Sequence, residues 1–145
     1  MSETKNQIIP MLAYEDGTAA MDWLCKVFGF SEKIRMLDDN GKLAHGELVL
    51  GDGIIMLASP TPDYQSPKHH RENCEKAAAW YRVPYIINGL LVYVDDVKQH
   101  YQKAKELGAF ILSDLEEGGP GTRYRVEDLE GQRWMFMQKK VSVYN

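Results

Sequence analysis

The stretch "IIPMLAYEDGTAAMDWLCKVFGF" (Ile8–Phe30) combines a short apolar segment, an acidic turn and an amphipathic segment that ends in glycine. The apolar segment Ile8–Tyr14 predicts a strand, and Pro10, which lacks a backbone N–H, restricts it to a sheet edge. Asp16 or Thr18 can cap the helix that follows, and Gly29 can end it. Between them the apolar residues recur at helical spacing: Ala20, Met21, Leu24, Val27 and Phe28. The stretch therefore predicts a strand followed by a helix.

The same order recurs in the second half of the chain. "NGLLVYV" predicts a strand, Asp95 or Asp96 can cap a second helix, and Gly108 can end it. The repeat is one of pattern and not of residue identity. Four residues have counterparts at one constant spacing: Leu12, Tyr14, Asp16 and Gly29 match Leu91, Tyr93, Asp95 and Gly108.

Three predicted strands follow each helix, and Asn40-Gly41 indicates a tight hairpin between the first two of them. The chain therefore predicts one α+β domain, residues 1–145, built from two βαβββ modules at about 7–59 and 88–140. A connector, residues 60–87, joins them. Cys74, Ala77, Ala78 and Tyr81 predict one helix in the connector, which Val83-Pro84 would end. We expect the connector to cover an edge or the mouth of the fold.

Composition excludes several classes of protein. The chain of 145 residues is 44% hydrophobic and 26% charged, as is usual for globular proteins, and its net charge of −4 gives no electrostatic footprint for nucleic acid. The polar start "MSETKNQ" and the absence of a long apolar run predict neither a signal segment nor a membrane partner. The two cysteines, Cys25 and Cys74, form no C-x-x-C motif, so a disulfide framework is not expected. We therefore expect the protein in a reducing cytoplasm.

Polar residues with chemical potential lie at three places in the sequence. His45 and Glu47 are two residues apart on one predicted strand, which suits an acid/base pair, two metal ligands or a solvated strand face. Arg123 and Arg125 share a strand face and could bind a substrate carboxylate or phosphate, although a solvated face is also compatible. His69, His70 and Cys74 could suggest a metal site, but two solvated histidines and a buried cysteine fit the pattern better.

The two modules resemble the vicinal oxygen chelate superfamily, which includes glyoxalase I, bleomycin- and fosfomycin-resistance proteins and extradiol dioxygenases. The resemblance rests on the strand–helix stretch above, on "GKLAHGELVLGDGIIMLAS", on "LVYVDDVKQHYQKAKELGA" and on "RVEDLEGQRWMFMQ". It covers nearly the whole chain except the connector. It implies a partly open, cup-shaped mixed β-barrel with helices on the outside, often completed by dimerisation.

Enzymes of this superfamily hold a divalent metal at four positions, which fall here on Ile9, Met56, Gly89 and Met135. None of these side chains is a ligand for a hard divalent ion, so glyoxalase I and dioxygenase activities are not expected and no cofactor is predicted. Alternation instead predicts a cup with a soft apolar lining, to which these residues contribute: Ile9, Met11, Met56, Leu91, Tyr93, Met135 and Met137. Trp134 and Phe136 would face the helices. A polar rim or flank would be formed by four residues: His45, Glu47, Arg123 and Arg125.

The resemblance and the missing ligands together predict a metal-independent protein, a homodimer, that sequesters a small hydrophobic or amphipathic ligand. A lyase or isomerase is the first alternative, with His45 as general base and Glu47 orienting it. A metalloenzyme is the second, with relocated ligands taken from His45, Glu47, His69 or His70.

Overall fold

The computed structural model describes residues 6–140. It contains eight strands: β1 Met11–Ala13, β2 Ser31–Leu37, β3 Leu43–Leu50, β4 Gly53–Ala58, β5 Gly89–Tyr93, β6 Phe110–Glu116, β7 Gly121–Glu127 and β8 Arg133–Lys139. The helices are α1 Gly17–Trp23, continued by a π-helical turn Leu24–Phe28, then α2 Pro67–Glu72, α3 Glu75–Trp80 and α4 Val97–Glu106.

The strands form two four-stranded sheets of identical topology. Their orders are β1-β4-β3-β2 and β5-β8-β7-β6. The pairs β1–β4 and β5–β8 are parallel, and the other pairs are antiparallel. This confirms the two βαβββ modules and the α+β class. The sheets are not closed into one barrel, which is compatible with the partly open cup that the sequence implies.

Asp16 and Asp96 are the residues that cap α1 and α4, because each accepts a hydrogen bond from the backbone N–H three residues later. The predicted counterparts are therefore displaced by one residue at the start of each module: Leu12 corresponds to Val92, not Leu91, and pairs with Leu57 as Val92 pairs with Phe136. The first helix holds one residue more than the second before its terminal glycine. Its π-helical turn accommodates that residue, because a π-turn contains one residue more than an α-turn.

One face of each sheet packs into a common core. Phe28 of the π-helical turn lies 5.5 Å from the Trp134 ring and 4.8 Å from the Phe136 ring, centroid to centroid. Trp134 and Phe136 are almost fully buried, so their predicted place between sheet and helices is confirmed. Tyr14 Oη also donates a 2.6 Å hydrogen bond to Asp128 Oδ2. The core and this bond join the two modules, and the opposite face of each sheet is left for other contacts.

The connector differs from the single helix that the sequence predicts. Asn73 leaves the helical conformation after α2, its side chain donates to the backbone oxygen of His69, and Cys74 then caps α3 in an extended conformation. Cys74 is half-buried and not a core residue. The predicted strand Ile8–Tyr14 is also shorter than expected, because only Met11–Ala13 is strand and its ladder begins after Pro10.

Candidate ligand-binding site

The face of the second sheet that points away from the core, here called the open face, is ordered in three rows by the strand register. In the first row Gly89, Arg133, Glu127 and Phe110 are neighbours; in the second, Leu91, Met135, Arg125 and Ser113; in the third, Tyr93, Met137, Arg123 and Glu116. Alternation along β7 and β8 places these side chains together, since residues two apart in a strand share a face.

The connector packs over the first row through buried charges. Arg133 is 4% exposed and Glu127 is 2% exposed, and they form a salt bridge of 3.0 Å. Arg71 of α2 makes a bidentate contact with the same carboxylate, at 2.6 and 2.8 Å. Arg133 also donates to the backbone oxygens of Tyr81 and Val83, the latter at 2.6 Å. The side chain of Arg133 therefore ties the end of the connector to the sheet.

Two connector tyrosines pack against arginine side chains: Tyr81 against Arg133 and Arg71, and Tyr85 against Arg125. The Tyr81 ring centroid is 4.8 Å from the guanidinium carbon of Arg133 and 5.3 Å from that of Arg71. The Tyr85 ring lies 6.0 Å from the guanidinium of Arg125 in the second row. Aromatic faces attract such cations, so these contacts fix where the connector crosses the sheet.

A cavity of about 250 Å³ lies between the end of the connector and the second row. Its lining is mainly apolar: Pro84, Tyr85, Ile87, Gly89, Leu90, Leu91, Trp134 and Met135, with Arg125 and Arg133 as the charged members. A concave, mostly apolar space with few polar groups is the usual form of a small-molecule site.

Ile87, on the cavity wall, has a backbone φ of 61° and is the one non-glycine residue of positive φ within residues 6–140. A β-branched side chain in this region is strained, at a cost of about 1–3 kcal/mol. The contacts around it hold this conformation: Arg133 donates to the oxygen of Ile86, and the N–H of Ile86 bonds to Val83. Strain of this kind clusters at binding sites.

The structure brings some predicted ligand-binding residues together and separates others. Leu91, Arg125 and Met135 line the cavity. Met11 meets Leu91 across a groove between β1 and β5, and Tyr93 faces a further groove with Ile54. The remaining members lie outside these spaces: Ile9, half-buried before β1, Met56 on the first sheet, Met137, which is 4% exposed, and Arg123, which pairs with Glu116 at 3.5 Å.

His45 and Glu47 form a close pair on the first sheet. The distance from His45 Nε2 to Glu47 Oε2 is 2.7 Å, with side-chain exposures of 36% and 11%. Lys33 Nζ lies 3.9 Å from the other carboxylate oxygen, and Met36 and Met56 are the strand partners of His45 and Glu47. The pair is on a different sheet from the cavity and does not line it.

The residues at the superfamily's metal positions do not fit a divalent ion. Met56 and Met135 offer thioethers, which suit soft metals, while Ile9 and Gly89 offer no side-chain donor. In the part of the chain that the structure describes, no three His, Cys, Asp or Glu side chains are placed to hold a metal. His69 of α2 pairs with Glu15, whereas His45 pairs with Glu47 on β3. The residues considered as alternative metal ligands are therefore not brought together.

A buried carboxylate that sequence reasoning missed lies at the junction of the modules. Asp128 accepts hydrogen bonds from Tyr14, from Trp134 Nε1 at 3.1 Å and from the N–H groups of Glu130 and Gln132. Burial raises the pKa of Asp128 to about 6, against these bonds, which lower it. In the sequence, Asp128 is visible as part of a turn before Trp134. Its hydrogen-bond partner Tyr14 is 114 residues away, so the burial of the carboxylate could not be predicted.

Arg133, Tyr85 and Ile87 were also missed as parts of the site. Arg133 does alternate with Met135 on one strand face, so the sequence held a signal for it. No such signal exists for Tyr85 and Ile87, because their place depends on how the connector folds back.

Comparisons with known proteins agree with this architecture. The family model of the Glyoxalase/Bleomycin resistance protein/Dioxygenase superfamily matches residues 7–136, so the chain belongs to that superfamily. An uncharacterized protein of Mycobacterium bovis is 28% identical over 134 residues, which are 89% of this chain and 80% of that protein.

Two solved structures share the fold. TioX from Micromonospora sp. ML1 is 29% identical with a TM-score of 0.67, over 95% of this chain and 99% of TioX. TnmS3, an antibiotic-binding protein from Streptomyces sp. CB03234, is 15% identical with a TM-score of 0.63, over 95% of this chain and 100% of TnmS3. Among residues 6–140, no helix has the length and apolar character needed to cross a membrane.

Proposed function

We propose that this protein binds and sequesters a small hydrophobic or amphipathic molecule without a metal ion. The observation that carries the proposal is the apolar cavity between the connector and the second sheet, where Leu91, Arg125 and Met135 meet. Methionine is flexible and polarisable, so Met135 suits a ligand of irregular shape.

The four metal positions support binding over the metal-dependent chemistry of the superfamily. Ile9, Met56, Gly89 and Met135 cannot supply the donors that a Lewis-acidic ion needs. TnmS3, which shares the fold, is an antibiotic-binding protein, and it illustrates that the same architecture can serve for binding.

The test is a thermal-shift screen against aromatic metabolites and antibiotics, because a ligand that binds the folded state raises its stability. Met135→Glu should abolish every shift, since its carboxylate would enter the cavity beside Arg125, its strand partner. Met36→Glu is the matched control, because Met36 is 56% exposed on β2 of the other sheet. Ligand recovered unchanged after incubation, by mass spectrometry, supports sequestration. Equal shifts in both variants would place the site elsewhere.

A homodimer and a cytoplasmic location are part of the proposal. The edge strands β1 and β5, together with the residue Ile8 before β1, expose apolar side chains that a second copy would cover: Ile8, Met11 and Tyr93, of which Met11 is 81% exposed. Cys25 and Cys74 are free thiols, which suits a reducing compartment. Sedimentation velocity tests the dimer, and Met11→Lys should shift it toward monomer.

The 2.7 Å contact between His45 and Glu47 favours a second candidate function, a lyase or isomerase. Glu47 would hold the imidazole in one orientation, and His45 would take a proton from the substrate. If a compound is turned over at the His45–Glu47 pair on the first sheet, His45→Ala should abolish its turnover and leave its affinity unchanged. Weaker binding with an unchanged rate constant would contradict the acid/base role.

A further inference from the structure

We propose that the ligand of the cavity carries a carboxylate on a planar apolar ring system, and that Arg125 binds the carboxylate. This inference rests on the proposed function and adds the chemical class of the ligand. The cavity juxtaposes three features: the guanidinium of Arg125, the exposed ring of Tyr85 and the apolar floor formed by Leu91 and Met135.

The charge of Arg125 is unmatched, unlike that of its neighbours. Arg123 pairs with Glu116, while Arg71 and Arg133 share the single carboxylate of Glu127. Across the described residues Arg125 takes part in no salt bridge; its charged group instead faces the Tyr85 ring. Its strand neighbours are Met135 and Ser113, neither of which is acidic.

Among residues 6–140, no acidic side chain lines the cavity, and the two charged residues of its lining are arginines. Because Glu127 already accepts from two arginines, the surroundings keep a net positive charge. A cationic ligand would be repelled there, and a neutral one would leave the guanidinium without a charged partner. An anion restores the balance, and a carboxylate matches the planar fork of a guanidinium.

The shape of the site sets the rest of the ligand. Tyr85 is 70% exposed, so part of its ring is free to stack on a second planar group. A volume of about 250 Å³ lies below the range usual for drug-sized ligands, which points to a molecule with one or two rings. Ile87, in its strained conformation, adds an apolar side chain to the same wall.

The experiment compares 2-naphthoate with 2-naphthamide, which differ in charge and hardly in shape, by titration calorimetry on the full chain. The naphthoate should bind about 10- to 100-fold more tightly, the effect of a charge-assisted hydrogen bond. Arg125→Met should remove this preference and leave the amide affinity unchanged, and Arg125→Lys should restore part of it. Arg35→Met, on the other sheet, should keep the full preference. Thermal unfolding without ligand verifies that each variant is folded.

The outcomes separate a failure of the carboxylate inference from a failure of the small-molecule proposal. Equal binding of both compounds, or a preference that survives Arg125→Met, overturns the carboxylate inference and leaves the small-molecule proposal in place. If neither compound binds while other molecules give shifts that Met135→Glu abolishes, the inference also fails alone. If no molecule in the screen gives such a shift, both fail.

Discussion

Replacing Arg133 with methionine should release the connector from the second sheet and open the cavity. Methionine matches the unbranched aliphatic part of arginine and carries no donor. It would therefore leave the oxygens of Tyr81, Val83 and Ile86 without the charged hydrogen bonds that they now accept. Glu127 would not be left unpaired, because Arg71 keeps its bidentate contact at 2.6 and 2.8 Å. The loss should therefore fall on the connector and not on the whole fold.

The magnitude follows from the burial of the guanidinium. A hydrogen bond from a charged donor contributes about 1.5–3 kcal/mol, and breaking a buried ion pair costs about 3–5 kcal/mol. Arg133 is 4% exposed, so little solvent screening reduces these values. With three connector bonds lost, the one to Ile86 being long at 3.4 Å, and water able to reach the freed oxygens, the local opening free energy should fall by about 3–5 kcal/mol. That is an increase of at least about 100-fold in the opening equilibrium.

Hydrogen exchange measures this directly. The amides of Tyr81, Val83 and Ile86 donate hydrogen bonds within the connector and should exchange at least about 100-fold faster in Arg133→Met. The amides of β7 and β8 should change much less. Arg123→Met is the matched control on the same open face, because its partner Glu116 is 49% exposed and such pairs contribute about 1 kcal/mol or less. Equal protection of the connector in both variants would refute the reasoning.

Three further predictions concern the module junction and the cavity wall. The pKa of Asp128, about 6, lies above that of an unfolded carboxyl, so its ionisation destabilises the fold: the penalty is absent below about pH 4 and complete above about pH 7. Between these pH values, the free energy of unfolding of the wild type, measured in urea, should fall by up to about 3 kcal/mol relative to that of Asp128→Asn. If the difference between the two free energies does not change with pH, the raised pKa of Asp128 is contradicted. Tyr14→Phe should cost about 1–3 kcal/mol and raise the pKa of Asp128 further, since the Tyr14 hydroxyl lowers it; carboxyl NMR titration checks the direction. Ile87→Gly should leave the free energy of unfolding unchanged or raise it by about 1 kcal/mol, by relieving strain, yet weaken 2-naphthoate binding; a large loss of stability would show that Ile87 is not strained.

Local signals in the sequence were enough for most of the secondary structure. Aspartate before each helix and glycine after it act on the nearest turns, so Asp16, Asp96, Gly29 and Gly108 could be read directly. Period-two alternation likewise placed Met135 and Arg133 on one face of β8 and Trp134 on the other. The extra residue of the first helix could not be placed, because a π-helical turn and a longer α-helix leave the same pattern.

The candidate site was only partly predictable. Leu91, Arg125 and Met135 were among the predicted ligand-binding residues, because each lies on a strand whose alternation is visible. The sequence did not predict that Met56 would lie outside the cavity that Met135 lines. Which residues share a cavity depends on how the connector and the two sheets pack, and no local preference encodes that packing.

By itself, the sequence determined the two repeated modules, the faces of their strands and the loss of the usual metal ligands. The modules and the strand faces follow from residue type and spacing, and the missing ligands follow from the superfamily's metal positions. Only the tertiary structure decided which cavity those faces form. The long-range contacts of Arg133 with the carbonyls of the connector, and of Arg71 with Glu127, bring Tyr85 over Arg125. They also bring Ile87 to the cavity wall. Such contacts depend on the path of a connector whose two short helices carry no signal of where they pack.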